Sequence, residues 1–165
     1  MSNGESGFSV SRVHLDRSAK DEHKELAAKV FETDVGVRGR YALEVQPIIE
    51  LCATLAVGAG GSALWEFVKW GALRVKEYID SSLFQDGTVA IGVYRAESAG
   101  LTWEIRHRSD MPPDDFHASV IIQAVDTWAL HPDTARISIN LVERRIAFFD
   151  STNILISEGD WPDHT

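Results

Sequence analysis

The densest group of side chains able to carry acid-base or metal chemistry is His107 and His117, with Asp110, Asp114 and Asp115 beside them. Imidazoles and carboxylates placed together could move protons or ligate a divalent cation. No His-x-x-x-His pair accompanies them. His107 closes a strand-like alternation and His117 falls on the apolar face of a helical pattern, so the expectation is a half-buried histidine beside an acidic helix cap. Cys52 is the single cysteine. It lies on an apolar stripe at helical spacing, without a nearby basic residue to favour thiolate, and reads as a small core residue. One cysteine permits neither an intrachain disulfide nor a cysteine-rich zinc site. With no ligand pair at a recognised spacing, the expectation is no metal, no cofactor and no catalytic residue.

The segment Gly58-Ala59-Gly60-Gly61-Ser62-Ala63 has the form G-x-G-x-x-A, in which closely approaching backbone amides can hold a pyrophosphate. That fingerprint needs a preceding strand. Here Pro47 suits the first turn of a helix, and Ile48, Leu51, Cys52, Leu55 and Ala59 follow one helical face. Gly58, Gly60 and Gly61 are therefore expected to form a tight turn or to let two helices approach closely. Neither a Walker sequence nor a G-x-S-x-G elbow occurs.

The elements that would position these groups follow from periodicity. Residues 1–7 read as a mobile tail, and Phe8, Val10, Val13 and Leu15 as a strand with one irregular step. His23, Leu26, Ala27, Val30 and Phe31 mark an amphipathic helix after Ser18; Tyr41, Leu43 and Val45 mark a strand. After the helix begun by Pro47, a second runs from a Ser62 cap to about Asp80. Val89, Ile91 and Val93 pair with Leu101, Trp103 and Ile105 across an Ala96–Gly100 hairpin. A helix follows from Asp114 to about Leu130, and three short strands, 137–142, 145–149 and 153–157, suggest a C-terminal β-meander. This order predicts one α+β domain over 8–157, with a mixed or antiparallel sheet, about four helices and an acidic tail at 158–165.

Composition bounds the function. With 165 residues, 44% of them hydrophobic, the chain can bury a core without staples. Its net charge is -9, of which residues 83–165 contribute -7, so a nucleic-acid or anionic-membrane surface is not expected. The opening MSNGESGFSV lacks a basic start and an apolar stretch, which predicts a cytoplasmic location. On the helix after Ser62, Leu64, Val68, Ala72, Val75 and Ile79 form a core stripe. Trp70 and Leu73 fall on the other side among Glu66, Lys69, Arg74 and Glu77, the composition of a partner-binding or self-association hot spot.

The segment Val35-Gly36-Val37-Arg38-Gly39-Arg40, the break Val57 to Trp65 and the strand pair after it resemble the effector-associated constant component type of bacterial conflict-system adaptors. The resemblance covers roughly Phe8 to His107, and the chain departs from it by a further helix and three strands after Met111. It implies a non-enzymatic adaptor of bacterial defence that recruits effectors by protein contacts. The sequence thus points first to a protein-protein interaction module with a protein partner, basic or a second copy of itself in a homo-oligomer. One alternative is an acidic inhibitor or immunity protein that blocks a basic toxin or nuclease site. The other is a small-molecule enzyme with a pocket at His107 and His117.

Overall fold

A computed structural model of the chain describes residues 8–16, 19–38, 46–55, 60–81, 83–98, 100–111, 113–128 and 132–160. In chain order the elements are β1 (Phe8–Asp16), α1 (Asp21–Phe31), β2 (Val35–Arg38), β3 (Ile48–Leu55), α2 (Gly61–Ile79), β4 (Ile91–Ser98), β5 (Leu101–Arg108), α3 (Asp115–Trp128), β6 (Arg136–Asn140), β7 (Arg145–Phe149) and β8 (Leu155–Asp160). The strands join in one mixed sheet of order β2-β1-β3-β4-β5-β6-β7-β8. Parallel pairs β1/β2, β3/β4 and β5/β6 each enclose one helix in sequence. The fold is therefore three successive strand-helix-strand units, stitched by antiparallel pairings and closed by β7 and β8.

The helix expected after Pro47 is β3, and the helices number three among the described residues, not four. Ile49, Leu51, Ala53 and Leu55 are buried on one face, while Glu50, Cys52 and Thr54 point to the other. A period of 2 has prevailed over an equally present helical spacing, helped by paired β-branched residues at the strand start and by pairing with β1 and β4. The last three strands do pair antiparallel in order, β6 with β7 and β7 with β8, but β6 also pairs in parallel with β5, so they are the end of the one mixed sheet. β8 continues to Asp160, into the segment read as tail. The strand expected at Tyr41–Val45, the tail 1–7 and Gly58 lie outside the described residues. β1 does carry its irregular step, a register shift between Val10 and Arg12. The β4/β5 hairpin turns through Gly100 at φ +84°, a region that favours glycine.

α2 is helical because Leu64, Phe67, Val68, Ala72, Val75, Tyr78 and Ile79 recur at three- and four-residue steps and are all buried. Gly60, extended at φ -97°, takes the N-cap position expected for Ser62. The helix lies on the sheet face that carries Leu51 and Tyr94, whose side chains meet its Gly71. One core cluster unites that face with α1, α2 and α3, through Phe31, Phe67, Ile105, Ile121 and Ile139 among others. Each such side chain contributes roughly 1.5 to 3 kcal/mol on full burial. The opposite sheet face bears the polar residues of β1, β3, β4, β5 and β6.

Candidate functional site

On the face turned away from the helices, strand register places His14 opposite Glu50, Cys52 opposite Arg95, and Arg95 opposite Glu104. His14 Nδ1 lies 2.9 Å from Glu50 Oε1, and Arg95 Nη2 lies 3.2 Å from Glu50 Oε2. The same guanidinium pairs with Glu104, whose other oxygen is 3.7 Å from Arg136 Nη1. Arg136 donates to Asn153 Oδ1 at 2.7 Å and stacks 3.9 Å from the Phe149 ring centroid. A continuous polar line thus crosses the sheet from β1 to the β7–β8 turn. Glu50 is only 2% exposed, an environment in which an ionised carboxylate persists only with close cationic or hydrogen-bonding neighbours.

Cys52 belongs to this line and not to the core. It is half-buried on β3, with Arg12 and Arg95 as its register neighbours on either side. A ring nitrogen of His14, a carboxylate oxygen of Glu50 and the Cys52 sulfur all lie within 4.8 Å of one another. The group is hidden in the sequence because helical spacing turns Cys52 inward, and because 36 residues separate His14 from Glu50. The alternation Ile49, Glu50, Leu51, Cys52, Ala53, Thr54, Leu55 was the signal that could have found half of it.

His107 and His117 are brought near one another, each with a local structural partner. The His107 Nε2–H donates to the Met111 carbonyl oxygen. His117 and Asp114 cap α3 reciprocally: the His117 backbone N–H donates to Asp114 Oδ1 at 3.0 Å, and the Asp114 N–H donates to His117 Nδ1 at 3.2 Å. Burial lowers both imidazole pKa values. For His107 the Met111 hydrogen bond and Asp110 oppose the shift while His117 adds to it; for His117 Asp114 opposes it and Arg144 adds to it. Asp110 pairs with Arg108 at 2.7 Å, and Asp115 lies in the first turn of α3. A cleft of about 60 Å³ lies elsewhere, between Leu15, His23, Pro47, Tyr78 and Phe84, well below the size that small-molecule ligands occupy.

With β3 a strand, the glycine run before α2 does sit between a strand and a helix. Its two described glycines have separate roles. A Cβ on Gly61 would lie 2.9 Å from the Ile122 Cα, so Gly61 lets α2 and α3 touch, whereas nothing comes within 4 Å of a Cβ on Gly60.

On the outer side of α2, Leu73 is 69% exposed, whereas Trp70 is half-buried against the core with the Arg74 guanidinium 5.7 Å from its ring centroid. The charges around them pair with each other: Lys69 with Glu66 at 2.9 Å and Arg74 with Glu77 at 3.1 Å. The expected hot spot is thus reduced to one exposed leucine in a self-paired rim, and lone exposed leucines are ordinary. Leu73→Ser is expected to leave the melting curve within about 0.5 kcal/mol of wild type, while Trp70→Ser costs about 2 kcal/mol. Urea titration of the two single variants checks this, and equal losses would contradict the packing described for Trp70.

A larger apolar exposure lies at the sheet edge. Ile154, just before β8, and Leu155 and Ile156, its first two residues, are 62%, 47% and 39% exposed, and β8 is the last strand of the sheet. Among the described residues no helix is long and apolar enough to cross a membrane. Fold and surface define a one-sheet α/β protein with its helices on one face and a polar line on the other. No family model, curated protein or solved structure matches the chain.

Proposed function

We propose that the protein is a non-enzymatic interaction module that accepts an extended strand of a protein partner along β8. The observation that carries this is the exposed run Ile154-Leu155-Ile156, which leads from the preceding turn onto a terminal strand. Such an edge offers unpaired backbone donors and acceptors together with apolar side chains, and strand addition uses both. Charge selects the occupant. Residues 83–165 hold -7 of the chain's -9, and β8 itself carries Glu158 and Asp160, so a strand with lysine or arginine between its apolar residues fits. A second copy would set two chains of the same strong charge edge to edge, which disfavours it. An adaptor role in bacterial defence agrees with the resemblance noted in the sequence and rests on it.

Selection of random extended peptides on the immobilised full chain tests this. Enriched peptides are expected to alternate apolar and basic residues, and to lose about tenfold or more in affinity for Leu155→Lys and Ile156→Lys variants. Equal binding to both variants would remove β8 as the docking edge. Concentration-dependent dimers abolished by Leu155→Lys would replace the basic partner with a second copy.

A further inference from the structure

We propose that His14, Glu50 and Cys52 form a binding site for a borderline d-block dication, zinc being the best match to the donor set. An imidazole nitrogen, a carboxylate oxygen and a thiolate sulfur suit zinc or cobalt(II), whereas magnesium and calcium take oxygen donors throughout. The three donors already lie within 4.8 Å of one another, on the face away from the helices and on two adjacent interior strands. In a tetrahedral site with bonds of about 2.0 to 2.3 Å, neighbouring donors stand roughly 3.2 to 3.7 Å apart. Closing the cluster therefore needs side-chain adjustment of about 1 Å, with no movement of the sheet.

Ring orientation separates a metal site from a nucleophilic triad. A Cβ on Gly36 would meet His14 Cδ2 at 3.2 Å and Nε2 at 3.8 Å, so that edge of the ring faces β2. Nδ1 is the nitrogen turned to β3, where it meets Glu50 Oε1 at 2.9 Å. A triad needs one nitrogen for the nucleophile and the other for the carboxylate. Here the nitrogen toward β3 meets the carboxylate, and a ring nitrogen, that carboxylate and the thiol lie within 4.8 Å of one another, which is the arrangement of ligands around a common centre. The outer support is also in place: Arg95 holds Glu50 Oε2 at 3.2 Å, leaving Oε1 aimed at His14. Three protein donors leave a fourth position for water. On binding, the cation replaces the His14–Glu50 hydrogen bond: the proton that Nδ1 donates to the carboxylate leaves that nitrogen, the neutral ring then carries its one proton on Nε2, and the Cys52 thiol releases its proton to solvent.

Titration of untagged, full-length protein with cobalt(II) tests the site. The expected result is one equivalent bound, with the visible bands of a tetrahedral ion and a thiolate-to-cobalt charge-transfer band, both displaced by zinc. Cys52→Ser should abolish the charge-transfer band, and His14→Gln should weaken binding by about tenfold or more. Absence of saturable binding, or a spectrum unchanged in Cys52→Ser, overturns the proposal. Should either variant fail to fold, the melting temperature of the wild-type protein decides. It must rise with added zinc, because a ligand bound only by the folded state stabilises that state, and no rise overturns the site.

Discussion

Gly61→Val is expected to lower the stability of the fold by about 3 kcal/mol, whereas Gly60→Ser, one residue earlier, changes it by only a few tenths. The difference lies in what a side chain meets. At Gly61 the nearest atom to a new Cβ is the Ile122 Cα at 2.9 Å, with Cγ1 at 3.0 Å, so the backbone of α3 would have to move. Packed interiors yield little to such a demand. At Gly60 nothing lies within 4 Å, and its extended φ of -97° suits a serine cap. Neither position needs a left-handed conformation, and the glycine requirement at Gly61 is one of helix contact. Gly71→Val should behave like Gly61→Val, because its Cβ would lie 2.7 Å from Tyr94 Cε1 and 3.0 Å from Leu51 Cδ1, where α2 crosses the sheet. Urea unfolding of the three variants at neutral pH gives the comparison through midpoints at constant slope. A Gly61→Val midpoint equal to that of wild type would show that α2 and α3 do not touch there.

Within 61 to 160, α2, α3 and β5 were legible, whereas β4 starts at Ile91, not Val89, and turns Tyr94 and Ala96, not Ile91 and Val93, toward the helices. α2 and α3 have single-sided or broad apolar arcs at helical spacing, and Leu101, Trp103 and Ile105 alternate without interruption. The segment 48–55 was not, because two periods coexist in it. Ile48, Leu51, Cys52 and Leu55 satisfy a helix as well as Ile49, Leu51, Ala53 and Leu55 satisfy a strand, and Pro47 tips a local reading toward the helix. Pairing with β1 and β4 settles what the local pattern leaves balanced, as tertiary context does for marginal propensities. That one assignment hid more than an element. With β3 unread, the recurrence of strand, helix and parallel strand was invisible, and Glu50 and Cys52 had no face to share with His14. β2 was hidden for a different reason, since Gly36 inside it reads as a break while serving as close backbone beside the His14 ring. A strand is legible at 155–157, although it begins two residues later and runs further than 153–157, and exposure at a sheet edge depends on strand order, which local sequence does not encode.

Acidification is expected to weaken the fold through its two buried imidazoles, and the direction follows from where the proton binds more readily. Burial holds the pKa values of His107 and His117 below the ordinary histidine value in the folded chain. The unfolded chain therefore takes up protons first as pH falls. Above the unfolded value of about 6.5 both forms are neutral and stability is unaffected. Below it, stability declines by up to about 1.4 kcal/mol per pH unit for each imidazole, until the depressed folded-state values are passed. His107 has the stronger environment for this effect. Its Nε2–H is committed to the Met111 carbonyl, its Nδ1 is buried without a hydrogen bond among the described residues, and the Tyr94 ring stands 6.2 Å away. A second proton would have to enter at that buried Nδ1, close to His117, against which the Met111 carbonyl and Asp110 offset the charge only in part. His107→Gln keeps a donor for Met111 but cannot titrate. Urea unfolding between about pH 7.5 and pH 5.5 should show wild-type stability falling, and a shallower fall in His107→Gln. An identical slope in the two proteins would remove His107 as the source of acid sensitivity, and a flat wild-type profile would mean that neither imidazole is held neutral by the fold.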